Sequence, residues 1–313
     1  MADPICPEPR ARGESLPHRL ACLAAGATFL LLFIGGLVTT QKAALAVPDW
    51  PTTFGHNMFF FPWSKMVGGI FYEHSHRLVA SGVGLLTLAL ALALWWGERR
   101  AWLRWLGAAA LALVIAQGVV GGLRVILLEE TLAIFHACLA QAFFALIVGL
   151  AFLTSTEWVG ASPRIQLPDT LRIRRLCLIT TVLIYLQAIV GAVLRHTGTG
   201  LEGHLFLATM VAFHVILLGR RVLKSPAGPA RLKRSAGILV GLLFLQLGLG
   251  LGAYWIRIAP SATRLAEVVF TTAHVAMGAA LLAASVALTL RSFRLLAPPE
   301  ILAERVSARQ VSV

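Results

Sequence analysis

Charge is scarce in this sequence. Only 13% of its 313 residues are charged and 58% are hydrophobic, where a soluble domain carries roughly 25% charged residues. With a mean hydropathy of +0.80, that scarcity excludes a soluble globular enzyme and a disordered chain. Cysteine is scarce too. Cys6, Cys22, Cys138 and Cys177 show no CxxC spacing, and none falls in a loop assigned to the outer side. A disulfide scaffold or a zinc site is therefore not expected. The 28 glycines follow no three-residue period, which removes a collagen-like chain. Acidic residues number 14 against 27 Lys and Arg, a net charge of +13. No basic soluble domain exists to make that excess a nucleic-acid footprint. Basic loops on the cytoplasmic side of a membrane account for it.

What the sequence has in abundance is long apolar runs. Eight of them, near 19–40, 74–96, 102–123, 131–153, 173–194, 202–222, 236–256 and 267–290, reach the roughly 20 residues needed to cross a bilayer. The expected fold is an all-α polytopic membrane protein with eight transmembrane helices. The first run follows a segment with Pro, Arg and Glu and has no short apolar region with a cleavage site, so a cleaved signal peptide is not expected. Of the 27 Lys and Arg, 20 fall in the two termini and in the loops after the second, fourth and sixth runs. That bias places both termini in the cytoplasm.

The chain also repeats itself. Gln117-Gly-Val-Val-Gly-Gly-Leu-Arg124, Gln187-Ala-Ile-Val-Gly-Ala-Val-Leu-Arg195 and Gln246-Leu-Gly-Leu-Gly-Leu-Gly-Ala-Tyr-Trp-Ile-Arg257 close the third, fifth and seventh runs. Gly35-Gly36-Leu37-Val38 is a fainter copy in the first. Each even run then carries a histidine near its outer start: His76, His136, His204 and His274. The unit is a helical hairpin used four times, which predicts two pseudo-symmetric four-helix bundles. Their expected bounds are 19–155 and 173–291, joined by a linker over 156–172, with tails at 1–18 and 292–313. The small residues either let helices approach closely or leave room for a flat cofactor.

A histidine inside a membrane is costly, and four at equivalent places of a repeat point to function. Two per bundle on facing helices is what bis-imidazole ligation of a haem iron requires. The expected pairs are His76 with His136 and His204 with His274. Choosing His204 over His214 rests on its position in the repeat. Arg124, Arg195 and Arg257 close neighbouring helices and fit either haem propionates or interfacial snorkelling. In Glu73-His74-Ser75-His76-Arg77, Glu73 shares a helix face with His76 and with Arg77. It reads either as an acid–base group in a dry cavity or as the partner of Arg77 in an interfacial ion pair.

Together these residues resemble the haem A synthase family, the membrane proteins of cytochrome oxidase assembly. The resemblance rests on Gly-Gly-Leu-Val-Thr-Thr at 35–40, Val47-Pro-Asp-Trp-Pro-Thr-Thr-Phe-Gly55, and the Glu-x-x-His-Arg of Glu73, His76 and Arg77. Phe135-His136, Leu194-Arg195-His196-Thr197 and Thr272-Ala273-His274 complete it. It implies conversion of haem O to haem A, a ring methyl being oxidised to formyl through hydroxylated intermediates. It implies haem B on His204 and His274, with Arg195 and Arg257 beside it. Substrate haem O then lies on His76 and His136, near Arg77 and Arg124, and Glu73 is the catalytic residue. The implied setting is a bacterial cytoplasmic membrane, with a haem O-making farnesyltransferase upstream, a terminal oxidase downstream and an electron donor the sequence does not identify. A homo-oligomer is compatible with the sequence, which fixes no state. Many relatives carry a cysteine pair in the first outer loop, and this chain has none there. The sixth run also lacks the Arg that follows His76. A bis-His cytochrome that only carries electrons, or a carrier, would be the readings of other classes.

Overall fold

The computed structural model describes residues 15–160, 163–259 and 263–297. Eight of its helices are long and apolar enough to cross a membrane. They are α1 (Leu16–Thr40), α2 (Gly68–Gly97), α3 (Ala101–Leu127), α4 (Glu130–Leu153), α6 (Thr170–Thr197), α7 (Leu201–Leu223), α8 (Ala230–Ile258) and α9 (Arg264–Leu295), with a short α5 (Thr156–Val159) between the fourth and fifth long helices. Every long helix outruns the apolar run that announced it. Backbone N–H and C=O groups have no other partner in hydrocarbon, so the coil persists into the polar flanks. Helix α2 starts at Gly68 and so takes Glu73 into the same helix as His74-Ser75-His76-Arg77.

Local chemistry sets the ends. Ser15 caps α1, its side chain accepting from the His18 N–H with Pro17 in the first turn. Thr263 caps α9 by accepting from Ala266 N–H at 3.2 Å. Between α6 and α7 the chain turns within 198–200, where Gly198 (φ +74°) and Gly200 (φ +84°) take the left-handed conformation that side chains avoid.

Contacts divide the long helices into two rings. In the first, α1 and α3 each touch α2 and α4; in the second, α6 and α8 each touch α7 and α9. The rings meet where α1 packs on α9 and where α4 packs on α6 and α9. Each ring has an apolar core, and both cores lie toward the end where α1 begins. The first is built from residues such as Ala24, Leu90, Leu103 and Ile147. The second includes Ile184, Leu218, Leu239 and Leu282. In α6 the core runs no further than Ile184 and in α8 no further than Leu243; in α7 it begins at Val211 and in α9 at Leu281. The other half of each ring, which holds the four histidines, has no such packed core.

Two segments add detail to the expected bounds. Within the linker, α5 is present, and Ile165–Gln166 (β1) pairs in parallel with Leu296–Ala297 (β2). Glu157 accepts from both Nε (2.9 Å) and Nη2 (3.0 Å) of Arg291, so the linker is fastened to α9. Helix α9 also continues past the expected tail boundary at 292. The remainder of that tail, and most of the N-terminal tail with Cys6, lie outside the described residues.

Candidate haem-binding site

Each expected histidine pair meets inside its own ring. The ring centroids of His76 and His136 are 6.5 Å apart, and those of His204 and His274 are 6.3 Å apart. Two imidazoles ligating one metal from opposite sides, each through a bond of about 2 Å, have ring centres about 6 Å apart. Both pairs therefore fit a bis-histidine iron as they stand. His214 instead turns back on its own helix, with Nδ1 2.8 Å from the Met210 carbonyl oxygen.

The glycines of the repeat explain how the rings are held. A Cβ on Gly121 would lie 2.9 Å from Cε1 of His136, and one on Gly250 would lie 2.8 Å from Cε1 of His274. Gly35 and Gly191 back His76 and His204 in the same way, at 3.2 and 3.3 Å. Each time the glycine lies nearer Nδ1 than Nε2. The Nδ1 edge is thus laid against the preceding helix, and Nε2 is the nitrogen turned away from it. So the small residues serve neither of the two expected purposes alone: at these four positions they make a seat for an imidazole. The Nδ1 atoms of His76, His136 and His274 are buried without a hydrogen-bond partner, an arrangement that calls for a ligand or a proton acceptor at the site.

The arginines divide. Arg77 is spent on the loop above the first ring: Nη1 donates to the carbonyls of Asp49 (2.7 Å) and Thr52 (3.1 Å), Nη2 to Val47 C=O (3.1 Å) and to Glu73 (2.8 Å). Arg195 crosses to the other ring, donating from Nη2 to Gly36 C=O (2.8 Å) and Thr40 Oγ1 (2.6 Å). Its Nη1 is buried without a partner. Arg124 is half-buried and Arg257 exposed. The Arg257 guanidinium lies against Gly198 of the α6–α7 turn.

Glu73 is 5% exposed and accepts from Arg77 and from Val47 N–H (3.0 Å). The ion-pair reading of this carboxylate is thus realised in the structure. Beside it, His74 pairs with Thr53 Oγ1 at 3.1 Å and packs on Phe61.

A family model described as cytochrome oxidase assembly protein, COX15-CtaA, matches residues 18–203. The chain belongs to the haem A synthase family. Over 241 residues it is 27% identical to Heme A synthase of Shouchella clausii (strain KSM-K16), covering 73% of this chain and 74% of that relative. Over 136 residues it is 34% identical to Protoheme IX farnesyltransferase 1 of Natronomonas pharaonis, covering 41% of this chain and 26% of that relative.

Two features of this haem A synthase family member escaped the sequence reading. The first is Trp50, whose indole lies on Gly122 so closely that a Cβ there would overlap the ring. Gly122 follows Gly121, the seat of His136, so the loop between α1 and α2 is plugged into the helix wall beside that histidine. A signal existed in the doubled glycine at 121–122, where α6 has Gly191-Ala192. The second is what is held by the glutamines that open three of the four copies of the repeat. Gln117 Nε2 donates to the His136 carbonyl and Gln187 Nε2 to the His204 carbonyl, both at 3.0 Å.

Proposed function

We propose that this haem A synthase binds its substrate, haem O, between His76 and His136, and a resident haem B between His204 and His274. The observation that carries this reading is the near-equal spacing of the two pairs, 6.5 and 6.3 Å, in the halves of the two rings that lie beyond the apolar cores. It also supports reading the rings as two pseudo-symmetric bundles. The overall conversion turns a methyl group of haem O into the formyl group of haem A.

Haem B, when bound, supplies one-electron redox chemistry. The chain's own residues do the rest. The histidines would hold the iron through Nε2, each imidazole being set by its glycine seat. Arg195 offers Nη1 to an acid group on the second haem. Arg77 and Glu73 hold the loop 47–56 over the first site, and Trp50 closes its wall, excluding water from the substrate. Glu73 is the acid–base group in this reading. Its proton traffic requires Arg77 to release it, because the carboxylate is closed in an ion pair at rest.

Orientation follows from the basic residues. The end bearing both termini faces the cytoplasm and the histidine end faces outward. A farnesyltransferase relative that contains a stretch like this chain supports a neighbouring step that makes haem O. A terminal oxidase that takes haem A, and an electron donor, complete the setting.

The test is haem extraction from protein purified in detergent out of cells that make haem O, followed by chromatography and mass analysis. Haem B together with haem A or hydroxylated haem O is the expected outcome. Haem B alone in the presence of reductant would return the protein to the plain cytochromes, and no haem at all would remove the site.

A further inference from the structure

The four histidine seats share one plan and differ in one respect. One helical turn before the glycine seat stand Gln117 in α3, Gln187 in α6 and Gln246 in α8. In α1 the same place holds Leu31. The amides of Gln117 and Gln187 donate to the main-chain carbonyl of the histidine on the next helix, at 3.0 Å in both. Gln187 Nε2 also lies 3.2 Å from Nδ1 of His204. Gln246 Nε2 lies 3.4 Å from Nε2 of His274, a contact that a metal on that nitrogen would replace. Leu31 has no group that donates, and among the described residues no amide contacts His76.

Polar side chains often tie membrane helices together, and helix adhesion alone is the plain account of these glutamines. Adhesion, however, is indifferent to the acceptor. Here three glutamines at one place in a repeat each lie on the histidine of the following helix, two on its main-chain carbonyl and Gln246 on its ring, and the fourth helix pair has Leu31 at that place. Outer-shell partners that orient a metal-ligating histidine are typically worth roughly ten- to a hundredfold in affinity.

We infer that Gln117, Gln187 and Gln246 are positioning residues for the histidine ligands, and that Leu31 leaves His76 as the one ligand free to yield. The inference rests on the two-haem reading above. It accounts for how one fold holds two haems with different lifetimes. The second site, with Gln187 on the His204 carbonyl and Gln246 alongside His274, keeps its haem. The first site has one secured ligand, His136, and one unsecured ligand, His76, and so lets substrate in and product out.

The experiment loads the full-length protein in detergent with two equivalents of haemin, reduces it with dithionite and follows carbon monoxide binding by absorbance. Carbon monoxide binds only where an axial histidine lets go. In the unmodified protein one of the two haems should react. Leu31→Gln, which adds the missing donor, should slow that reaction about tenfold. Gln187→Met keeps side-chain length and apolarity. It should make the second haem reactive and weaken haemin binding there about tenfold, and Gln117→Met should speed the first. Spectra and rates unchanged in all three variants would overturn the inference while leaving the two-haem reading intact. Two haems equally reactive in the unmodified protein would also overturn it. If the unmodified protein develops no imidazole-ligated haem spectrum at all, the two-haem reading falls, and the inference falls with it.

Discussion

The two rings solve the same problem with different exteriors. In the first, the chain between α1 and α2 runs from 41 to 67 and is laid back over the histidines. Arg77, the residue after His76, gathers three carbonyls of that loop. In the second, α6 and α7 are joined through 198–200 alone, and the residue after His204 is Leu205. A Glu stands three residues before His76, and Leu201 stands three before His204. The interiors match: a glycine seat, a histidine, a facing histidine at the same spacing. The histidine geometry is therefore common to both rings. Among the described residues, the loop over 41–67, the Glu73–Arg77 ion pair and the Trp50 plug belong to the first ring only, and under the proposed function they are what distinguishes the substrate site.

Replacing the histidines gives the largest effects and tests the division directly. His274→Ala or His204→Ala should abolish bound haem B, measured as the pyridine haemochrome of the purified protein. His136→Ala should retain haem B and lose product in cells that supply haem O. Equal loss of haem B from variants of both rings would dissolve the distinction between the two sites.

Next comes the ion pair. The side chains of Arg77 and Glu73 are 10% and 7% exposed. Removing one partner leaves a buried charge, which costs about 3–5 kcal/mol. Arg77→Ala should therefore free loop 47–56, seen as faster amide hydrogen exchange in that segment, with haem B still bound. Glu73→Gln keeps an acceptor for Val47 N–H. It should preserve the loop better than Arg77→Ala and still stop product formation if the carboxylate carries the proton. Normal haem A yield from Glu73→Gln would leave the residue a loop anchor only.

The third contrast is Gly122 against Ala192, the residues that follow the glycine seats of α3 and α6. Gly122→Ala has no room beside Trp50, and overpacking of this kind costs about 1–3 kcal/mol. Combining it with Trp50→Ala should recover most of that loss, so a thermal-unfolding double-mutant cycle should be strongly non-additive. Additive effects would mean that Trp50 does not occupy the slot.

What could be read from the sequence, and what could not, follows the range of the interactions involved. The eight spans were legible because hydrocarbon thickness is written as run length. The histidine quartet was legible because a repeat copies its polar residues along with its small ones. The ion pair was legible as one of two readings, since Glu73 and Arg77 are a turn apart on one helix. Arg77's other acceptors were not, because carbonyls of Val47, Asp49 and Thr52 have no sequence signature. Nor was Arg195's grip on α1, which depends on how the two rings abut. The glutamines were seen as the first letter of each repeat, but their target depends on the axial register of neighbouring helices. The pairing of Ile165–Gln166 with Leu296–Ala297 joins distant stretches through main-chain groups, and side-chain patterns do not encode it.

The smallest expected effect concerns Asp49, at the tip of the loop that only the first ring has. Burial works against its charge. The N–H of Gly55, the hydroxyl of Thr52 and the N–H of Phe54 outweigh it and hold the carboxyl below its ordinary value. The oxygens accept from Phe54 N–H at 2.7 Å and from Gly55 N–H at 2.8 Å. A carboxyl whose pKa is lower folded than unfolded stabilises the fold above the ordinary carboxylate value of about 4. That contribution is lost as pH falls through the lowered folded value. The turn at 49–55 should accordingly hold at neutral pH and loosen only in acid, below about pH 4. Trp50 reports this, because it leaves its slot on Gly122 when the turn opens. The difference in fluorescence between the unmodified protein and Trp50→Phe should change on acidification. In Asp49→Asn the change should be flattened, with the turn already weaker at pH 7. The second ring has no such loop among the described residues, so Asp49→Asn should leave the haem B content at pH 7 unchanged. Loss of haem B from Asp49→Asn at pH 7 would tie the two ends of the comparison together through α1 and α9.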